Sequence, residues 1–558
     1  MERSIAHRLA ARALAVSLIA SALVVAAIAP AQQQTFDEYS DHRHGAGHGV
    51  HGQLALAGTT ACLNAALTEG RNNNAYSGIA AAVVLDGRIV YHSGFGTVSP
   101  TSTQPVLPST RFRSGSVLKS MTATALLTLV QEGRVRLHAP VNALLPGLEL
   151  PGEPGWSDEL TAHLLLSQQG AIADTGVLFG PRDDSALAAA FYDPAFLQTV
   201  PLMVRPGTFY NYSNPNFSLA GLLAETAAGK PYRYLMRQRV LKPLGMTRTT
   251  FLPSEVLTDN DFAYGMTGNI IWAPNDYDNS ILRPAGFAWT TVDDLAKYLL
   301  FLIHGNREVL SPRLWRTMQT QQVDTQELLG LEGYGYGLVI DRATTLADRN
   351  GQLHFYDGVK AVSHGGAIAG YTAFMVSLPA QRFGYVTLVN GDSTNPLPSL
   401  APACFRAAAA ETISDRLPPP SPFPAPDIQR DRFIDYVGHY SDRINLMGET
   451  IVTLTPAGDL HVQLSNLDAI GFQYDPILQP ILRDNFLLQT QSGALLLTGI
   501  RGSGNQVEYL RTRVTVISRT QDAETTLRAE ASMDRDAVEQ GIRAAARESI
   551  SVLELNNQ

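Results

Sequence analysis

Proline occupies six of the ten positions from Leu417 to Pro426, and no other stretch so limits what this 558-residue chain can fold into. Proline fixes φ and has no N–H to donate, so a run this dense continues neither a helix nor a sheet. Two folded units are therefore expected, on either side of a linker at 416–428. The first, 59–415, is long enough for a large core, and the 45% hydrophobic content suffices to fill it. The second, 429–520, holds short alternating runs at 450–454, 460–464, 486–490 and 495–500 with turn residues between them. That pattern predicts a small antiparallel β-barrel, with an irregular β sandwich as the alternative. The charged, alanine-rich tail at 521–558 reads as a helix or as disorder.

The N-terminus carries an address. Arg3, Arg8 and Arg12 precede an apolar run from Ala13 to Ala29, and Ala29-Pro30-Ala31 fits a small-x-small cleavage site. Residues 1–31 read as a secretory signal peptide, with an uncleaved anchor as the alternative, and the expected location is periplasmic or secreted. No membrane span is expected after its removal. Residues 32–58 form a tether containing His42, His44, His48 and His51, whose spacing matches no zinc framework. Net charge is −9, and −11 without the first 31 residues, an acidic balance that argues against nucleic acid. There is no phosphate loop or dinucleotide fingerprint, so no cofactor and no metal are expected. Oligomeric state is not encoded legibly.

The chemistry begins at Ser116-Val117-Leu118-Lys119. Only five of the 42 basic residues are lysines. On a helix, positions i and i+3 share a face, which sets Lys119 beside Ser116. A serine hydroxyl attacks well only when a neighbour takes its proton, which a desolvated lysine does and arginine does not. Phe112 to Gly115 reads as a turn, and Met121 to Glu132 as a helix ended by Gly133, so Ser116 falls at a helix N-terminus that favours developing negative charge. The bland alternative is a capping serine with the lysine reaching solvent. Tyr212-Ser213-Asn214 lies in a turn-rich stretch before an apolar helix. His364-Gly365-Gly366-Ala367 leads to a strand over Tyr371–Leu378, and glycines at a strand's start admit close backbone approach.

In this order the three motifs resemble the serine beta-lactamase and penicillin-binding-protein superfamily, in its class C-like serine hydrolase branch. Gln131–Leu137, Leu241–Met246, Thr291–Leu295, Tyr336–Leu338 and Leu388–Asn390 are similar to framework phrases of that branch, so the likeness covers roughly 60 to 414. It implies an α/β (α+β) fold with a central antiparallel sheet flanked by helices plus a helical subdomain. The hairpin signal at Asp86-Gly87, between runs at 79–85 and 88–95, agrees. It also implies roles. Ser116 would be the acylated nucleophile, with Lys119 and Tyr212 as a coupled acid–base pair. Asn214, His364, Gly365 and Gly366 would contact substrate, and the N–H groups of Ser116 and Ala367 would form the oxyanion hole. The first and last helices of such a domain lie side by side, which leaves two expectations for Cys62 and Cys404, a disulfide or two buried thiols. Tyr436-Val437-Gly438-His439-Tyr440 resembles the opening of lipocalin-like barrels appended to some of these hydrolases.

Two departures bear on substrate. His364 stands where relatives that grip a carboxylate carry lysine, and Leu165 to Gly170 replaces a His-Thr-Ser-Gly phrase. The expected partner is a small ester or a D-amino-acid amide or peptide. A D,D-carboxypeptidase or beta-lactamase is the second reading, and an idle scaffold the third. His138, His163 and His304 read as structural, and Asp293-Asp294 as a helix start.

Overall fold

The computed structural model describes residues 50–174, 186–276, 278–327, 331–348, 350–502, 504 and 506–520. The signal peptide, most of the tether and the 521–558 tail lie outside the described residues. Helix α1 (Val50–Asn72) begins inside the stretch read as tether. Strands β1 (Gly78–Leu85) and β2 (Arg88–Gly96) follow, joined by Asp86 and Gly87 at φ +49° and +82°, the paired positive values of a tight hairpin turn.

A largely helical segment comes next, containing α2 (Leu118–Gln131), α3 (Asn214–Ala228) and α4 (Val292–His304). The chain then returns to the sheet with β3 (Val323–Asp324), β4 (Glu332–Tyr334), β5 (Val339–Ala347), β6 (Leu353–Ile368), β7 (Tyr371–Leu378) and β8 (Phe383–Val389), and closes the unit with α5 (Leu400–Thr412). The sheet order is β2-β1-β8-β7-β6-β5-β4-β3, antiparallel throughout.

Burial on both faces follows from the alternation in β1. Ile79, Ala81 and Val83 face a cluster with Leu63 and Leu67 of α1 and Phe405 and Ala409 of α5. Ala80, Ala82 and Val84 face the larger core, with Leu295 and Leu299 of α4. A disulfide joins Cys62 to Cys404, Cα to Cα 5.7 Å, so α1 and α5 are held side by side. In α2 every residue from Leu118 to Leu129 is buried. Its hydroxyls are satisfied within the core, as in Ser120 to Val117 O (2.9 Å) and Thr122 to Pro284 O (2.6 Å).

Beyond the proline run, eight strands form a second antiparallel sheet curled into a half-barrel. They are β9 (Gly438–Asp442), β10 (Glu449–Leu454), β11 (Leu460–Leu464), β12 (Gln479–Leu482), β13 (Asn485–Thr490), β14 (Gly493–Arg501), β15 (Val507–Arg511) and β16 (Val516–Arg519). It has its own core, including Tyr436, Tyr440, Val462, Phe486 and Leu510. Ile500 and Val516 instead pack on Ala171, Ala173, Met203, Val204 and Phe209 of the first unit. No helix among the described residues is long and apolar enough to cross a membrane.

Candidate active site

Between Arg111 and Leu129 Ser116 is the one residue that is not buried. It lies in a single 3-10 turn, Gly115–Val117, that runs directly into α2. Gly115 has φ +51°, and a Cβ there would sit 2.7 Å from Ala367 N. Reciprocally, a Cβ on Gly366 would collide with Ser114 O. The serine turn and β6 thus approach through two glycines, which brings the backbone of Ala367 to Ser116. His364-Gly365-Gly366-Ala367 lies near the end of β6 rather than at the start of the following strand, and pairs with Thr372 to Met375 of β7. The sequence reading is corrected there. Gly133, at φ +72°, follows α2 in the left-handed region expected of its stop.

Lys119 is fully buried. Its Nζ lies 2.8 Å from Ser116 Oγ, 2.7 Å from Asn214 Oδ1 and 2.7 Å from Ala285 O. Burial lowers its pKa well below the ordinary lysine value; Asp174 opposes that and Arg513 adds to it. A neutral amine fits this geometry. Its two protons go to Asn214 Oδ1 and Ala285 O, which accept only, and its lone pair faces the serine hydroxyl.

Tyr212 precedes α3, and its ring centroid is 4.9 Å from Lys119 Nζ. Burial raises the phenol to about 12, against Arg513 and a hydrogen bond with Ser116, while Asp174 raises it further. Asn214 is the first residue of α3, and both its backbone N–H and its Nδ2 donate to Asp174, each at 3.2 Å.

His364 is buried, with Tyr334 and Tyr212 rings about it. Its Nδ1 is 2.5 Å from Gly365 O, which only accepts, so Nδ1 carries the proton and Nε2 accepts from the Tyr334 hydroxyl at 3.0 Å. Burial lowers its pKa to about 3, to which Lys119 would add only when protonated, against the Gly365 contact. His364 therefore supplies no cation, and neither ring nitrogen is left over for a substrate.

The Leu165–Gly170 loop is a brace. Gln168 turns inward at φ +60°; its Oε1 accepts from Ser213 N (2.9 Å) and Asn216 Nδ2 (2.7 Å), and its carbonyl from Asn211 N (2.7 Å). Sequence reasoning noted this loop but not its contacts with the Tyr212 segment. It missed Ala285, Asp174 and Arg513 altogether, since no local pattern marks them. His163 is bound to Tyr336 (Nδ1 to hydroxyl 2.9 Å) and Asp293-Asp294 lie in the first turn of α4. No group of three or more His, Cys, Asp or Glu is placed to hold a metal ion among the described residues.

A serine-bearing turn in front of a buried lysine, set against an antiparallel sheet, points to a class of serine hydrolases, and the comparisons agree at the level of the family. The family model described as Beta-lactamase matches residues 63–408, more than half of the chain. The chain belongs to that family of beta-lactamase-fold and penicillin-binding-protein-like serine hydrolases. It is 23% identical over 327 residues to Protein flp of Staphylococcus aureus (strain COL), 57% of this chain and 60% of that one. It is 29% identical over 325 residues to Unguisins hydrolase ungD′ of Aspergillus campestris (strain IBT 28561), 55% of this chain and 57% of the other. The chain thus spans about three fifths of the length of the curated relatives it matches. Among solved structures, SurE with D-Leu superposes with TM-score 0.62 at 19% identity, covering 85% of this chain and all of SurE. The D-amino acid amidase from Ochrobactrum anthropi SV3, complexed with L-phenylalanine amide, gives 0.53 at 21% over 65% of this chain and 99% of its own.

Proposed function

We propose that the protein is an exported serine hydrolase that forms an acyl-Ser116 intermediate from small esters or D-amino-acid amides and peptides. The observation that carries this reading is the contact set of Lys119, in which, among the described residues, the one partner able to give up a proton is the hydroxyl of Ser116.

In this reading Lys119 takes the Ser116 proton as Oγ attacks the substrate carbonyl, and the oxyanion is received by the N–H groups of Ser116 and Ala367. Tyr212, neutral at pH 7, passes a proton to the departing alkoxide or amine, and Lys119 restores it. Water then attacks the acyl-enzyme with the proton transfers reversed. Asn214 carries Oδ1 toward Lys119, and Gly365, where a Cβ would meet only Phe374 at 3.9 Å, leaves room along β6 for the substrate, while Gly366 makes way for the Ser114 carbonyl. A neutral, doubly engaged His364 cannot act as a cationic carboxylate holder, which favours substrates without a carboxylate at that position over penicillins. The D-configured class is supported by the fold shared with a D-amino acid amidase and with SurE. Export is supported by the N-terminal arginines and apolar run together with the Cys62–Cys404 bond.

The test is labelling of the purified full chain with a fluorophosphonate probe and, in parallel, a labelled penicillin, with the adduct mapped by mass spectrometry. The expected result is an adduct on Ser116 from the first probe only, lost in Ser116→Ala. Labelling by both moves the protein to the penicillin-recognising reading, and absence of any Ser116 adduct overturns acyl-serine chemistry.

A further inference from the structure

Arg513 reaches the active site from the other side of the proline run. It lies in the turn between β15 and β16, closed by Thr512 N to Thr515 O at 2.9 Å. Its Nη1 donates to Tyr212 O at 3.0 Å and lies 2.7 Å from Asp174 Oδ2, with the guanidinium carbon 4.3 Å from the centre of the Tyr212 ring. Asp174 in turn fixes Asn214. An asparagine whose Nδ2 is committed to a carboxylate must present Oδ1 elsewhere, and here Oδ1 meets Lys119 Nζ. The contacts run without a gap from Arg513 through Asp174, Asn214 and Lys119 to Ser116.

Arg511 anchors the same turn. Its guanidinium donates to Tyr210 O (2.5 Å), Thr325 O (2.6 Å) and Glu327 (2.9 Å). Beneath both arginines lies the apolar seam of Phe209, Met203 and Val204 with Ile500, Val516 and Tyr509. The half-barrel is therefore seated on the segment 209–212 that carries the phenol.

We propose that the Asp174–Arg513 pair is a positioning device through which the seated half-barrel holds Asn214 and Tyr212 in register with Lys119, making full acylation competence a property of both units together. This rests on the acyl-Ser116 reading. Neither residue meets the substrate in this scheme; both act through Asn214 and Tyr212. The charged and titratable groups facing Lys119 and Tyr212 are Asp174, Arg513 and His364, with Tyr210 and Tyr334 beside the phenol and Glu327 beside Arg513. Arg513 lowers and Asp174 raises the pKa of both Lys119 and Tyr212. Removing the two partners singly must therefore move the active pH range in opposite directions, whichever group is the base.

The full chain carrying Arg513→Met, Arg513→Lys, Asp174→Asn or Asp174→Asn with Arg513→Met is compared with wild type by the rate of Ser116 fluorophosphonylation across pH. Expected are an acid limb about one pH unit higher in Arg513→Met, with labelling about tenfold slower below the limb, and a lower limb in Asp174→Asn. Arg513→Lys keeps the wild-type limb, and the double variant returns toward it. Limbs that move together, or not at all, overturn the proposal. Hydrogen exchange on the same variants gives a readout that needs no catalysis. Arg513→Met is expected to speed exchange at 210–214 while β9–β16 stay protected. If wild type is not labelled, the hydrolase reading fails, and unchanged exchange at 210–214 then sinks the positioning role on its own. Should Arg513→Met not fold, the downward limb of Asp174→Asn remains decisive.

Discussion

Burial lowers the pKa of Lys119, and that has a thermodynamic signature separate from activity. In the folded protein its pKa lies well below the ordinary value, so between that depressed value and about 10.4 the unfolded chain binds a proton that the native protein does not. Stability from this residue is therefore present above about pH 10.4 and is lost as pH falls through the window beneath. Comparing wild type with Lys119→Met by urea unfolding, the difference is expected to shift in favour of wild type on going from pH 7 to pH 10, at up to about 1.4 kcal/mol per pH unit. A flat difference would mean that Lys119 is charged in the fold. Ser116, Lys119, Tyr212 and Asn214 were legible in the sequence, because each sits in a short local phrase that the fold keeps local. Asp174 and Arg513 were not. Their meeting is set by how two folded units dock across 339 positions, and nothing near either residue encodes it.

At the scale of elements, the two interlocked glycines set the distance between the serine turn and β6. An added methyl on Gly366 has nowhere to go but against the Ser114 carbonyl, and backbone does not yield as a side-chain end does. Gly366→Ala is expected to slow acylation of Ser116 about 100-fold, because a displacement on the order of 1 Å misplaces the attacking oxygen. The same variant should keep its antiparallel sheet by circular dichroism. Rapid labelling in a folded Gly366→Ala would show that this close approach does not matter. Gly365 and Gly366 also explain the misplaced boundary. They read as punctuation in the sequence, yet β6 passes through them, since their lack of side chains serves a neighbour crossing the strand and not a turn within it. The strand at Tyr371–Leu378 and the hairpin at Asp86-Gly87 were legible because alternation and turn chemistry are local signals.

At the scale of the whole molecule, the proline run divides two sheets, as its chemistry demands, but it is no loose string. Ser421 N donates to Phe355 O at 2.7 Å and Phe423 packs on Phe355, which pins the run along β6. That contact, like the seam under Arg511 and Arg513, depends on tertiary packing and left no trace in the local sequence. The Cys62–Cys404 bond spans 342 positions and encloses nearly the whole hydrolase unit. Reduction, or Cys62→Ser with Cys404→Ser, is expected to cost about 2–5 kcal/mol, read as a Tm lower by several degrees with the Ser116 labelling rate preserved. An unchanged Tm would show that the native packing of α1 on α5 needs no covalent help. The same bond makes the hydrolase unit a ring with two short ends. A motor that threads polypeptide through a narrow pore would draw in a single strand only as far as Cys62 or Cys404. There it would meet a loop that must enter doubled, so this unit is open to passage through such a pore only before the bond forms or after it is cut.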